Sequence, residues 1–274
     1  MTLDVKDNFS VLLSIYNKEK ADFLRLSLSS IWKEQTLKPN QIVLVKDGPL
    51  TEELDAEVDS WVLELGDVLT VVSLRQNVGL AAALNEGLKV CKYDLVARMD
   101  TDDISTPERF KLQIKFMHDN PDITISSGFI EEWNSDLTIK LSKRILPVTH
   151  KDILIFAKLR SPISHPACIY RKSVILDCGG YPDIYPEDHL LWVRVLQAGH
   201  KLANIPEVLL RMRTGEDFIT RRGYQFLKGE LASYKKMYES NFLSLYEFIK
   251  VSILRGVVRL SPDILKLWLY KYMR

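Results

Sequence analysis

Four short apolar runs, each ending in polar residues and each separated by a helical pattern or a turn, constrain this chain most. Phe9 to Ile15 is continuous and apolar and stops at Tyr16-Asn17; Gln41 to Val45 stops at Asp47-Gly48-Pro49. Leu69 to Ser73 is the third run, and Asp94 to Met99 the fourth. Runs of this length without alternation describe strands buried on both faces, as in a parallel sheet. Between them, Leu24, Leu28 and Ile31 recur at a helical period before Pro39, and Leu80, Leu84 and Leu88 do so after Gly79. Thr106-Pro107-Glu108 predicts a further helix start, with Thr106 as cap, Pro107 at the first helical position, and Phe110, Ile114 and Met117 as the core face. Strand and helix alternating with short connections predict an α/β fold, a doubly wound, mostly parallel sheet flanked by helices.

The fourth run delivers the strongest chemical signal. Val96-Ala97-Arg98-Met99-Asp100-Thr101-Asp102-Asp103 places three carboxylates in four positions, with no lysine beside them. Like charges so close repel unless a cation sits among them, so the cluster reads as a divalent-metal site. Open α/β sheets bind ligands at the carboxyl ends of their strands, where this cluster falls.

Composition excludes several classes. The 274 residues suffice for one large domain or a domain plus an appendage, and 46% hydrophobic with 27% charged residues fits a globular chain. A formal net charge of +1 gives no basic field, so no nucleic-acid partner is expected. Cys91, Cys168 and Cys178 form no CxxC pair and are odd in number, which favours a reducing compartment. Asp4, Lys6, Asp7 and Asn8 interrupt any secretory leader, and no run approaches the roughly 18 apolar residues of a membrane span. A cytoplasmic location is expected.

The second half is less regular. Pro147 to Lys158 and Lys172 to Cys178 look helical, Gly179-Gly180-Tyr181-Pro182 is a turn, and Pro186-Glu187-Asp188 leads into a helix carrying Leu191, Val195 and Leu196. From about Arg221 the pattern becomes long helices rich in Leu, Tyr, Phe and Lys.

In order, Ser14-Ile15-Tyr16-Asn17, Lys46-Asp47-Gly48, Arg75-x-Asn77-x-Gly79, Asp100-x-Asp102-Asp103 and Glu187-Asp188 resemble the family-2 nucleotide-sugar glycosyltransferases of the GT-A fold. The likeness is to the branch that assembles bacterial O-antigen, capsule and exopolysaccharide, of the amylovoran type, and it spans roughly residues 8 to 215. It implies a catalytic domain over residues 1–220, with a nucleotide-sugar part over 8–130 and an acceptor part over 131–220, followed by a helical extension over 221–274.

The resemblance also implies roles. Asp47 would accept hydrogen bonds from base or ribose, with Ser14 and Tyr16 framing the uracil; Asp-Gly is equally a turn whose carboxylate satisfies local amides. Arg75 would help hold the nucleotide or else be a solvated charge, while Asn77 and Gly79 shape the turn. Asp100 would reach the ribose, Asp102 would bind Mn²⁺ or Mg²⁺, and Asp103 would contact the sugar or hold a metal-bound water. Asp188 matches the general base of the family, at a helix start that favours its ionised form, and Glu187 would touch the acceptor or position Asp188. His165, in Ser161-Pro162-Ile163-Ser164-His165-Pro166, is either acceptor-side or structural. Arg211 and Arg213 either clamp a pyrophosphate from a lid or lie on a solvated strand face, and Trp192 packs beneath Asp188.

The implied activity is an inverting hexosyl or N-acetylhexosaminyl transfer from a UDP-sugar to a saccharide on undecaprenyl diphosphate. Without a Gln-x-x-Arg-Trp motif or membrane spans, a single addition is expected rather than processive synthesis. A nucleotidyltransferase would need a glycine-rich phosphate loop after the first strand, and Ser14-Ile15-Tyr16-Asn17-Lys18 has no glycine. A non-catalytic nucleotide-sugar-binding protein would be expected to lack Asp102 or Asp188. The tail, with Phe226, Phe242, Tyr246, Phe248, Ile249, Ile253, Trp268, Leu269 and Tyr272 among lysines and arginines, either packs on the domain or meets the inner membrane leaflet.

Overall fold

The structure, a computed structural model, describes residues 8–214 and 224–261. The four apolar runs are strands β1 (Phe9–Ile15), β2 (Gln41–Lys46), β3 (Leu69–Ser73) and β4 (Leu95–Arg98), joined by helices α1 (Ala21–Trp32), α2 (Glu52–Leu65) and α3 (Leu80–Val90). They lie in the order β3-β2-β1-β4 and pair in parallel. Because successive strand residues face opposite sides, each run feeds two cores. Val11, Leu13 and Ile15 join Ile42 and Leu44 under α1 and α2, while Leu12 joins Val43 and Val45 under α3.

Helix α2 was not anticipated, although Thr51 accepts from the Leu54 amide at 3.3 Å and Leu54, Val58, Trp61 and Leu65 repeat at a helical period. Helix α4 (Arg109–Asp119) begins later than expected. Thr106 does not cap it: its hydroxyl donates to the Val208 and Leu209 carbonyls, tying the loop to a distant strand. Pro107 accordingly lies in the preceding turn, outside the helix.

The second half extends the sheet with strands the sequence pattern did not disclose. These are β5 (Ile104–Ser105), β6 (Ile123–Trp133), β7 (Lys140–Arg144), β8 (Ile169–Arg171) and β9 (Lys201–Arg213). The nine strands run β3-β2-β1-β4-β8-β6-β9-β5, with β7 added beside β6. Strands β5, β7 and β8 oppose the others, so the sheet is parallel at its first half and mixed beyond β4. Helices α5 (His150–Ala157), α6 (Lys172–Asp177) and α7 (Glu187–Gln197) follow as expected. Helix α7 is nearly enveloped: Leu190, Leu191, Trp192, Val193 and Val195 are all buried.

Helices α8 (Tyr224–Glu239) and α9 (Leu245–Leu260) pack against each other, and α8 packs onto α7. Tyr234, Met237, Leu243 and Val251 join the core above α7, and Arg259 makes two bonds to Glu230, at 2.8 and 2.9 Å. A capping box at Ser244 and Glu247 starts α9. Trp268, Leu269 and Tyr272 lie outside the described residues.

Candidate active site

The strand order reverses between β1 and β4, and a ligand crevice is expected over the carboxyl ends of the strands at such a point. A cavity of about 490 Å³ lies there, lined among others by Ser14 from β1, Asp47 after β2 and Asp100, Asp102 and Asp103 after β4.

Asp47 is buried, and its carboxylate accepts from the Val78 and Gly79 amides at 2.7 and 3.1 Å. It thereby fixes the turn before α3, whose first donors would otherwise lack partners. Asn77 donates to the Asp47 carbonyl at 3.3 Å, and Gly79 enters α3 at φ 88°, open to glycine. Gly48, at φ 88°, lets this turn approach: a Cβ there would lie 2.6 Å from the Asn77 nitrogen. Asn77 lines the cavity; Arg75 is exposed and outside its lining.

Ligand oxygens of Asp100, Asp102 and Asp103 lie within 4.8 Å of one another. A cation does stand beside them, one the sequence reading did not weigh: Arg98 is buried and ion-paired with Asp100. Burial opposes a charged guanidinium, but Asp100 together with Tyr181 and Glu187 more than offsets this and raises its pKa. Asp103 is the most enclosed carboxylate. Its Oδ1 accepts from the Arg213 amide at 2.9 Å, and its Oδ2 is buried without a hydrogen-bond partner. Burial, then the charges of Asp102 and Asp100, push its pKa well above the carboxylate range. An orphaned carboxylate oxygen among clustered hard oxygen donors fits a divalent cation of the Mg²⁺ or Mn²⁺ kind.

Arg213 is built into β9. It lies with its guanidinium 4.0 Å from the Phe23 ring centre, and donates to the Asp102 carbonyl at 2.6 Å and the Ser135 carbonyl at 2.5 Å. It therefore braces the acidic loop while lining the cavity. Arg211 is exposed on the same strand, over Trp133 at 5.4 Å, and lines neither this cavity nor its neighbour.

A second cavity, about 510 Å³, adjoins the first and shares Asp100, Leu80, Tyr185, Met212 and Phe226 with it. Helix α7 opens onto it. Asp188 is half-buried, and its Oδ2 accepts from the Ser161 hydroxyl at 2.8 Å. Glu187 is buried 3.5 Å from His165 Nδ1, and burial raises its pKa. His165 also meets the Tyr181 hydroxyl at 3.2 Å and lies edge-on to Trp192. Burial and then the Arg98 charge hold His165 near a pKa of about 3, so it is neutral at physiological pH. Trp192 is fully buried there, as expected.

The sequence reading missed the arginines of this second cavity: Arg144 on β7, Arg160 after α5, and Arg255 and Arg259 on α9. They come from separated segments, and no local motif announces them.

Parallel strands gathering carboxylates over one cavity, with a second cavity sharing its wall and holding a further carboxylate, are the arrangement that the resemblance to the GT-A transferases implies. The Glycosyl transferase family 2 profile matches residues 10–179, and the chain belongs to that family. It is 38% identical over 265 residues to the amylovoran biosynthesis glycosyltransferase AmsE of Erwinia amylovora, across 96% of this chain and 98% of that one. It is 37% identical over 270 residues to an Escherichia coli UDP-Gal:alpha-D-GlcNAc-diphosphoundecaprenol beta-1,3-galactosyltransferase, across 98% of this chain and 97% of that one. Among solved structures, mannosyltransferase PcManGT from Pyrobaculum calidifontis, in complex with GDP-Man and Mn²⁺, superposes with TM-score 0.66 at 17% identity, covering 94% of this chain and 73% of that one. S. aureus TarS 1-349 in complex with UDP-GlcNAc also gives 0.66 at 17% identity, covering 91% and 72%. These two likenesses establish the fold. The protein is a glycosyltransferase.

Proposed function

We propose that this enzyme moves one sugar from a UDP-sugar to a saccharide carried on undecaprenyl diphosphate, inverting the anomeric carbon, in bacterial surface-polysaccharide assembly. The observation that carries the reading is the shared wall: Asp100 borders both cavities, so a donor in the acidic one faces Asp188 in the other. The names borne by the Erwinia and Escherichia relatives support the class of donor and acceptor.

On this reading Ser14 and Tyr16 frame the uracil, Asp47 holds the turn beneath the ribose, and Asp100, aligned by Arg98, receives the ribose hydroxyls. Asp102, with Asp103 beside it, would hold Mn²⁺ or Mg²⁺, which when bound neutralises charge on the departing diphosphate. Asp188 takes the proton of the acceptor hydroxyl as it attacks, while the Ser161 hydroxyl donates to its Oδ2. Glu187 and neutral His165 position the start of α7. A single displacement without a covalent enzyme intermediate inverts the centre. Arg75 and Arg211, outside both linings, are assigned no contact with the donor.

Among the described residues no helix is long and apolar enough to cross a membrane. Helix α9 nonetheless exposes Tyr246, Ile249, Ile253, Val257 and Leu260 on one side, while Phe242 and Phe248 pack inward. We assign the outward stripe to contact with the membrane that carries the acceptor.

The test is Asp188→Asn, assayed with and without EDTA. The rate should fall at least about 10²-fold, the usual contribution of a positioned base, with UDP affinity little changed. EDTA should silence the wild type until Mn²⁺ or Mg²⁺ is restored. A loss confined to KM would make Asp188 an acceptor-binding group instead. Near-native kcat in a stably folded variant would reject the assignment.

A further inference from the structure

The two cavities carry opposite charge. Among the described residues, the first is lined by five carboxylates and one arginine, the second by five arginines and four carboxylates. In the second, Glu187 is further biased toward neutrality by burial. Several of its arginines are committed within the protein. Arg98 pairs with Asp100, Arg259 bonds twice to Glu230, and Arg255 bridges the Tyr234 hydroxyl and the Leu159 carbonyl, at 3.1 and 2.5 Å.

Arg144 makes no ion pair or side-chain hydrogen bond with the described residues. It reaches the cavity from β7, and its Nε, like that of Arg98, is buried with no hydrogen-bond partner. Burial lowers its pKa, opposed only by the charge of Asp188. A buried guanidinium with an empty donor costs free energy that an arriving anion would recover. Arg160 stands on the same lining, its guanidinium 5.3 Å from the Phe156 ring centre. Two apolar residues of the lining reach solvent, Leu159 at 42% and Leu254 at 36% exposed, and Ile253 and Val257 continue the apolar surface along α9. Arginine forks match phosphate oxygens, and an apolar rim beside them suits a hydrocarbon chain.

We infer that Arg144 and Arg160 form a diphosphate subsite in the acceptor cavity that works without metal, with the lipid leaving across Leu159 and Leu254. This deepens the proposed function and rests on it for the sugar to be elongated; binding of the lipid diphosphate itself needs no turnover. The acidic cavity requires a cation to take a diphosphate, whereas this one supplies its own cations, so the two sites separate by their response to chelation.

The experiment is calorimetric titration of the full chain with farnesyl diphosphate, in EDTA and again with saturating UDP and Mn²⁺. The wild type should bind farnesyl diphosphate similarly in both, and bind farnesol and inorganic pyrophosphate more weakly. Arg144→Gln and Arg160→Gln should each weaken binding at least about tenfold, as loss of a charge-assisted hydrogen bond does. Arg144→Lys, retaining charge without the fork, should recover part of that loss. Arg160 is half-exposed, so its variant reports even if Arg144→Gln fails to fold. Competition by UDP with Mn²⁺, or native affinity in Arg160→Gln, would overturn the inference. Pyrophosphate binding as tightly as farnesyl diphosphate would overturn the lipid path. Absence of transfer to any lipid-diphosphate saccharide, with arginine-dependent binding intact, would instead reject the proposed acceptor and leave the subsite standing.

Discussion

Gly229 sits inside α8 where that helix meets the backbone leading into the proposed base. A Cβ at this position would lie 1.5 Å from the Tyr185 carbonyl oxygen, 2.7 Å from its carbon and 3.6 Å from the Pro186 nitrogen. Carbon and oxygen in contact need about 3.3 Å, so Gly229→Ala requires helix and turn to part by roughly 2 Å. The obstacle is backbone, which cannot rotate aside as a side-chain tip would. Two effects oppose each other. Alanine in a helix interior is favoured over glycine by about 1 kcal/mol, whereas overpacking costs about 1–3 kcal/mol and more where backbone must move. Overpacking wins here, and a net loss of about 1–2 kcal/mol is expected.

The catalytic cost should be larger than the stability cost. Tyr185-Pro186 runs directly into Glu187 and Asp188, and misplacement of a catalytic group by about 1 Å can cost about 10² in rate. Thermal melting and steady-state transfer to a lipid-diphosphate saccharide measure both. Gly256→Ala in α9 is the control, because nothing lies within 4 Å of its added methyl. It should raise stability by up to about 1 kcal/mol through helix propensity alone, with kcat unaltered. A Gly229→Ala enzyme as stable and as fast as wild type would refute the close approach and its link to Asp188.

Two further outcomes follow from burial and exposure. The unfolded imidazole titrates near 6.5 and His165 near about 3, so the unfolded chain binds the extra proton between those values, and stability should fall as pH drops through that window. His165→Gln should flatten the decline between pH 7 and pH 5 in urea titrations, though only in part because burial lowers His150 and His189 too; an unchanged slope would contradict the burial argument. The α9 stripe predicts sedimentation with anionic vesicles that Ile253→Glu with Val257→Glu abolishes while leaving the fold intact, and equal sedimentation of variant and wild type would return the stripe to ordinary surface.

The first half of the sheet was legible because its strands are buried on both faces by unbroken apolar runs. The second half was not, for reasons visible in its residues. Strand β6 carries Ser126 and Ser127 at fully buried positions, where Ser127 donates to the Ser164 carbonyl at 3.1 Å, so a core strand reads as polar. Strand β9 contains Pro206, and its register with β6 shifts around Gly128 and Phe129. Buried arginines mislead in the same way: Arg109 is enclosed in α4, donating to the Arg98 carbonyl at 2.6 Å and to Gln113 at 2.9 Å. The acidic cluster was legible because its members are adjacent in sequence. The arginine cavity was not, because only tertiary packing brings β7, the end of α5 and α9 together.

The contrast between the cavities explains why one enzyme needs both carboxylates and arginines around a single reaction. On the proposed reading it handles two diphosphates, one that departs with the nucleotide and one that stays with the acceptor lipid. Two arginine-lined sites would bind either diphosphate, and the product nucleotide would compete for the acceptor position. An acidic cleft repels both unless a divalent cation is present, and on this reading Ser14 and Tyr16 would add nucleoside contacts that a lipid diphosphate cannot make. An arginine cavity with an apolar rim holds the acceptor without the cation, and offers the nucleoside no comparable fit. Buried Arg98 lines the second cavity and pairs with Asp100 of the shared wall, and its charge adds to the burial that depresses the proton affinity of His165. On the proposed reading, sorting by charge would therefore assign each diphosphate its side, and would leave Asp188 beside the acceptor hydroxyl rather than beside the metal.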